Sequence, residues 1–150
     1  MSSRTDHIKS SMKKFETMIN THDSALASKL GEELVDSKAP FFTPASPEPL
    51  YGGEGYLSIV HLMRKSFSDV GWTLEKMVVD EDVAAVKWTF HGTNDGPFFG
   101  KEPTNKKVNV CVMNFYYFNK EGKIIKDEAA AGMFGILEQC GFFRNERYVK

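Results

Sequence analysis

The sequence predicts an α+β fold, in which helices pack over the concave face of a curved, cone-shaped antiparallel sheet and enclose a small apolar pocket. Apolar residues recur at helical spacing up to about residue 70, and four strand-like stretches then follow with a period of two. Helices followed by a run of strands are typical of α+β proteins and not of βαβ units. The length of 150 residues fits one domain, 1–150.

Three helices are predicted in the first half. Residues 4–20 place apolar side chains on one face, and the segment 21–24 supplies a break and a helix cap. A short second helix ends near Asp36, and a third runs from about residue 55 to 69. Residues 37–53 between them hold four prolines, which predicts an ordered loop without regular structure.

Four antiparallel strands are predicted next, at about 72–79, 83–93, 107–118 and 123–131, before a closing helix at 133–139. Trp88 and Phe90 share the inner face of the second strand, where they line either a ligand pocket or a solid core. Both faces of the third strand are mostly apolar, so we predict that it is central and covered on both sides.

Charge and composition exclude several partners. The net charge is −1 with scattered basic residues, which argues against nucleic acid and against a membrane-binding basic patch. No apolar run approaches a membrane span, and the first residues lack a secretory signal, so a cytoplasmic location is expected. No group of His, Cys or carboxylate residues has metal spacing, so no metal is expected.

Three stretches together resemble the SnoaL-like polyketide cyclase family, within the nuclear transport factor two-like fold. They are Pro49–Gly55 leading into a helix, Val86–Thr93 followed by Gly96-Pro97-Phe98, and Gly122–Ile125 with Gln139-Cys140-Gly141 after it. The resemblance covers roughly residues 8 to 141 and rests on the order and spacing of the stretches.

The resemblance implies a cone-shaped α+β barrel that forms a homodimer through the outer sheet face. It also implies a pocket for a small hydrophobic molecule and chemistry that requires no cofactor. In cyclase members, an acidic residue in the last strand serves as general acid and base for an aldol closure.

The sequence departs from the family at that acid. The family's acid lies two residues after a His, and the corresponding positions here hold Ala129 and Asp127. The Asp that precedes the closing helix in another branch is Gly132. The family's His on the adjacent strand corresponds to Asn114.

Asp127 is therefore the candidate catalytic residue, because enolisation requires a positioned base with a suitable pKa. If it faces the pocket, by alternation on the same face as Ile125 and Ala129, apolar walls would raise its pKa. Otherwise Asp127 and Glu128 are charges at a strand end in water. The predicted ligand-binding residues are Phe42, Tyr51, Trp88, Phe90, Asn114, Tyr116 and Met133. Asn114 and Tyr116 bind either a ligand carbonyl or a backbone group or water.

Three functions follow from these observations. The first is a SnoaL-like domain that binds a small apolar or carbonyl-containing ligand without the usual cyclase acid. The second is a cyclase, isomerase or lyase that uses Asp127 as acid and base, without a cofactor. The third is a non-enzymatic dimeric scaffold whose interior is filled by its own side chains.

Overall fold

The fold consists of four helices and six strands in a computed structural model that describes residues 3–43, 45–129 and 132–142, with only the helical backbone at 132 and 133. The helices are α1 (Arg4–Asn20), α2 (Ser24–Leu34), α3 (Gly52–Ser66) and α4 (Gly132–Gln139). The strands are β1 (Pro40–Phe41), β2 (Leu50–Tyr51), β3 (Gly71–Asp80), β4 (Val83–Thr93), β5 (Lys107–Phe118) and β6 (Ile124–Ala129). The predicted α+β class is confirmed.

The helix α1 has the bounds that its periodicity predicts. Ser3 and Asp6 form a capping box at its start, where each side chain bonds the other residue's backbone N–H. Its apolar face is buried against the sheet, through Ile8, Met12, Phe15, Met18 and Ile19. The next helix starts at the predicted cap, because the Asp23 carboxylate accepts the Leu26 N–H.

Residues 37–53 differ from the prediction of a wholly irregular loop. Strands β1 and β2 pair as a short antiparallel ladder, and α3 begins at Gly52, three residues before the predicted start. Gly52 has a φ of +65°, which only glycine adopts without strain and which turns the chain from β2 into the helix. The prolines interrupt regular structure between the two strands but leave this pairing intact.

The main sheet has the order β3-β4-β5-β6, and every neighbouring pair is antiparallel. It is open, with β3 and β6 at its edges, so it is not the closed barrel that the resemblance implies. Its inner face carries Ala84, Val86, Trp88 and Phe90 of β4, all buried beneath the helices. The helix α4 packs against β5, where Ile136 lies in one hydrophobic cluster with Val108 and Val110.

In the described part of the chain, the outer face of the sheet exposes large apolar side chains, which differs from the prediction that β5 is covered on both sides. Val78, Met113 and Phe115 are each more than half exposed. Val78, Ala85 and Phe115 are neighbours across β3, β4 and β5. Strand β5 is central in the sheet order, and the four described helices cover only its inner face.

A fully buried asparagine fixes the loop after β4. The amide of Asn94 donates to the carbonyls of Ser66 and Gly96, and its oxygen accepts the Thr104 N–H. The loop is therefore tied to the end of α3. None of the helices in the described ranges is both long enough and apolar enough to cross a membrane.

Candidate active site

A cavity of about 520 Å³ lies between the helices and the inner face of the sheet. This volume lies within the range of small-molecule sites. Its walls are mainly apolar and aromatic, and its polar groups gather where β5 meets β6. The described lining residues are Phe15, Ile19, Phe41, Phe42, Thr43, Tyr56, Ile59, Val60, Met63, Trp72, Trp88, Phe90, Val112, Asn114, Tyr116, Asp127, Glu128, Ala129 and Ile136.

A β-bulge directs Asp127 into this cavity. The pair Tyr117–Lys126 is followed by the pair Phe118–Ile124, so Ile125 has no partner across the ladder. The inward face of β6 therefore carries both Ile124, which is fully buried, and Asp127, which pairs with Tyr116. Strict alternation would place Ile125 beside Asp127, but Ile125 is exposed. The bulge is the physical reason that this part of the prediction is wrong.

Both oxygens of the Asp127 carboxylate accept a hydrogen bond. The Tyr56 hydroxyl donates to Oδ2 at 2.9 Å, and the Asn114 amide donates to Oδ1 at 2.8 Å. Burial raises the pKa of Asp127 above its ordinary value, although these two donors act in the opposite direction. Asp127 is therefore not a strand-end charge in water, whereas its neighbour Glu128 is exposed.

The donor Tyr56 is held by aromatic rings. Phe41 of β1 stacks on it with ring centroids 4.4 Å apart, and Phe15 of α1 meets it edge-on at 5.1 Å. Burial and the nearby Asp127 charge raise the pKa of Tyr56, so it stays protonated and continues to donate. The carboxylate is thus held by a side chain from α3 and one from β5.

A second hydrogen-bonded pair lies on the same inner face. The indole Nε1 of Trp88 donates to the hydroxyl oxygen of Tyr116 at 3.0 Å, and both side chains are buried. Phe15 contacts both rings. Burial, followed by the Asp127 charge, raises the pKa of Tyr116. Asn114 and Tyr116 thus each have a side-chain partner, Asp127 for the Asn114 amide and Trp88 for the Tyr116 hydroxyl.

The cavity brings together most of the predicted site residues, namely Phe42, Trp88, Phe90, Asn114, Tyr116 and Asp127. Tyr51 does not line it, because it precedes α3 at the surface with 55% of its area exposed. The side chain of Met133 lies outside the described residues. Ala129, where the resemblance places the family's acid, lines the cavity and pairs across the ladder with Asn114.

Sequence reasoning missed Tyr56 and Phe15 as site residues. Tyr56 lies four residues before Val60 and seven before Met63, so it shares the apolar face of α3. A hydroxyl on such a face needs a polar partner, which was an available signal. No set of three or more His, Cys, Asp or Glu side chains within the described ranges could hold a metal.

The family model for SnoaL-like polyketide cyclases matches residues 10–140. No curated protein sequence matches the chain. TsrD from Streptomyces laurentii has a similar structure, with a TM-score of 0.77 and 20% identity, over 95% of this chain and 100% of TsrD.

IdmH from Streptomyces antibioticus, a candidate polyketide cyclase, is similar with a TM-score of 0.71 and 20% identity, over 89% of this chain and 98% of IdmH. A Catenulispora acidiphila protein with a ketosteroid isomerase-like fold has a TM-score of 0.67 and 13% identity, over 87% of this chain and 92% of its own. At these identities the likeness shows the fold alone.

Proposed function

Because the chain belongs to the SnoaL-like polyketide cyclase family, we propose that its cavity binds a small apolar carbonyl compound and that Asp127 moves a proton on it. The observation that carries this proposal is a carboxylate inside a largely apolar cavity, bonded through both oxygens. This favours the cofactor-free enzyme over a binding domain without an acid. The cavity also weighs against a scaffold whose interior is filled.

The proposed step is enolisation. An Asp127 oxygen removes a proton from the carbon next to a substrate carbonyl. The C–H electron pair forms a carbon–carbon double bond, and the carbonyl π pair moves to oxygen, which gives protonated Asp127 and an enolate. The enolate carbon then attacks a second carbonyl within the molecule or takes a proton back. Burial raises the pKa of Asp127 above its ordinary value, which makes the carboxylate a better proton acceptor.

Exchange of substrate protons tests this step without knowledge of the natural substrate. We expect the protein to accelerate deuterium incorporation next to the carbonyl of 2-tetralone, a bicyclic ketone, in D₂O, as followed by proton NMR. Asp127→Asn should lower the rate by about 10²- to 10⁴-fold, the usual contribution of a positioned base. The control is Glu121→Gln, since Glu121 is an exposed carboxylate in the turn before β6 and does not line the cavity. The proposal fails if Asp127→Asn exchanges as fast as the unaltered protein.

The proposal includes a homodimer through the outer sheet face, in a cytoplasmic protein. The support is an apolar row across three strands, at Val78, Ala85 and Phe115, in which Val78, Phe115 and the nearby Met113 are more than half exposed. An exposed apolar patch of this kind is typical of a protein interface, and in a two-fold dimer the same patch of both copies forms the contact.

Light scattering after size-exclusion chromatography measures the assembly. Phe115→Lys should convert a dimer into a monomer. Leu62→Lys, on the exposed surface of α3, is the control and should leave the mass unchanged. A monomeric unaltered protein at micromolar concentration would disprove the dimer and leave the proposed chemistry untouched.

A further inference from the structure

Trp88 and Tyr116 form a buried pair whose hydrogen-bonding capacity is only partly used. An indole N–H is a donor only, so the Tyr116 oxygen must be the acceptor of their bond. A tyrosine hydroxyl has a hydrogen of its own to donate. Among the described residues, no acceptor bonds the Tyr116 hydroxyl hydrogen, although Tyr116 lines the cavity. The pair therefore leaves one donor available to a ligand.

Tyr116 lies close to the proposed base. It pairs directly with Asp127 across β5 and β6, so both side chains project from the same face of the sheet. The Asp127 oxygens are bonded to Tyr56 and Asn114, and the Tyr116 hydroxyl is turned to Trp88. A hydrogen-bond donor and a carboxylate thus stand side by side with separate partners.

We propose that Tyr116, polarised by Trp88, donates its hydroxyl hydrogen to the substrate's carbonyl oxygen and stabilises the enolate oxygen that forms there. This inference rests on the proposed function. It also specifies the substrate class: a carbonyl whose neighbouring C–H reaches Asp127 while its oxygen reaches Tyr116.

Chemistry at this position favours such a donor. A hydroxyl that already accepts a hydrogen bond is a stronger donor, because chains of hydrogen bonds polarise one another. Hydrogen bonds strengthen as charge develops on the acceptor, so the Tyr116 bond would be stronger to the enolate than to the ketone. Burial raises the pKa of Tyr116, which keeps its proton in place at neutral pH. Removal of one such donor typically slows an enzyme by about 10²- to 10³-fold.

Ligand binding tests the Tyr116 donor independently of the Asp127 base. The comparison uses 2-naphthol, which carries an enolate-like oxygen, and naphthalene, which has the same rings without it. Both are titrated into Asp127→Asn protein, in which the neutral amide stands in for the protonated acid. We expect 2-naphthol to bind about 10- to 100-fold more tightly than naphthalene, and Tyr116→Phe to remove that difference.

Two further variants identify the donor. Tyr56→Phe should keep the preference for 2-naphthol, because the Tyr56 hydroxyl donates its hydrogen to residue 127 and not to the ligand. Trp88→Phe should weaken 2-naphthol more than naphthalene, because both ligands lose contacts with this wall of the cavity and only 2-naphthol loses the polarised hydroxyl. It should also lower the fraction of bound 2-naphthol that is ionised, as seen in its absorption spectrum. A purely structural role of Trp88 would weaken both ligands equally.

The possible outcomes are distinct. Naphthalene and 2-naphthol binding with equal affinity would overturn the inference and leave the proposed base intact. A preference lost in Tyr56→Phe but kept in Tyr116→Phe would also overturn it. If neither ligand binds, the proposed cavity function fails as well. A preference that depends on Tyr116 supports the inference even if Asp127→Asn leaves 2-tetralone exchange unchanged.

Discussion

Replacement of Tyr56 by phenylalanine should raise the pKa of Asp127. The change removes the hydroxyl that donates to Oδ2 at 2.9 Å and leaves the ring, with its contacts to Phe15 and Phe41, in place. A hydrogen bond to a charged group contributes about 1.5–3 kcal/mol. One pKa unit corresponds to about 1.4 kcal/mol, so the pKa of Asp127 should increase by about 1 to 2.

The same change should alter how stability depends on pH. Burial places the folded-state pKa of Asp127 above the unfolded value, so the native state binds the extra proton between these two values. The free energy of unfolding therefore falls as pH rises through that interval. Tyr56→Phe extends the interval upward. The variant should lose about 1.5–3 kcal/mol at pH values above its new pKa and little below the unfolded pKa of Asp.

Carbon-13 NMR of the Asp side-chain carboxyls measures this pKa directly, and Asp127→Asn assigns the signal. Tyr51→Phe is the matched control, since Tyr51 lies outside the cavity and loses the same hydroxyl. Urea denaturation across pH gives the stability profile. An Asp127 pKa that stays constant or falls in Tyr56→Phe would refute the reasoning, because the hydroxyl would then not stabilise the charged form.

Three further predictions concern packing and hydrogen bonding in the interior. Phe15→Ala removes a ring that contacts three cavity aromatics and should lower the free energy of unfolding by about 3–5 kcal/mol in urea; a loss under about 1 would contradict it. Gly53→Ala places a methyl group against the backbone of Gly31 and should lower the free energy of unfolding by about 1–3 kcal/mol. The loss should exceed that of Gly31→Ala, whose methyl group would lie 3.2 Å from the Gly53 Cα. Equal melting temperatures of the two variants would disprove this. Asn94→Ala should cost about 1–3 kcal/mol and expose the Thr104 amide to hydrogen exchange, whereas retained protection would argue against the Asn94 bonds.

The sequence was sufficient to predict the elements whose side-chain periodicity is regular. The face of α1 and the alternation of Trp88 and Phe90 in β4 each have one period throughout, and the observed bounds of α1 and β4 match the predicted ones. Cap residues such as Asp23 locate helix starts because they satisfy backbone N–H groups locally. These signals are local, so a single sequence contains them.

The site was harder to predict because its contacts connect distant positions. Asp127 is bonded by a residue 71 positions away on α3 and another 13 positions away on β5. Tyr51, a predicted ligand-binding residue within the segment 37–53, is exposed, while Tyr56 five residues later lines the cavity. The turn at Gly52 starts α3 between them, and the helical spacing then places Tyr56 on the buried face with Val60 and Met63.

The unpaired Ile125 also affects how the last strand tolerates changes in length. Ile124 and Asp127 both point inward although they are three positions apart, an odd step that regular pleating does not permit. Ile125 is the extra residue of the bulge, and it allows Ile124 before it and Asp127 after it to point to the same side of the sheet. Deletion of Ile125 should therefore shorten the strand without rotating Asp127 outward, so an acid in this strand is located better by its cross-strand neighbour than by its distance along the chain.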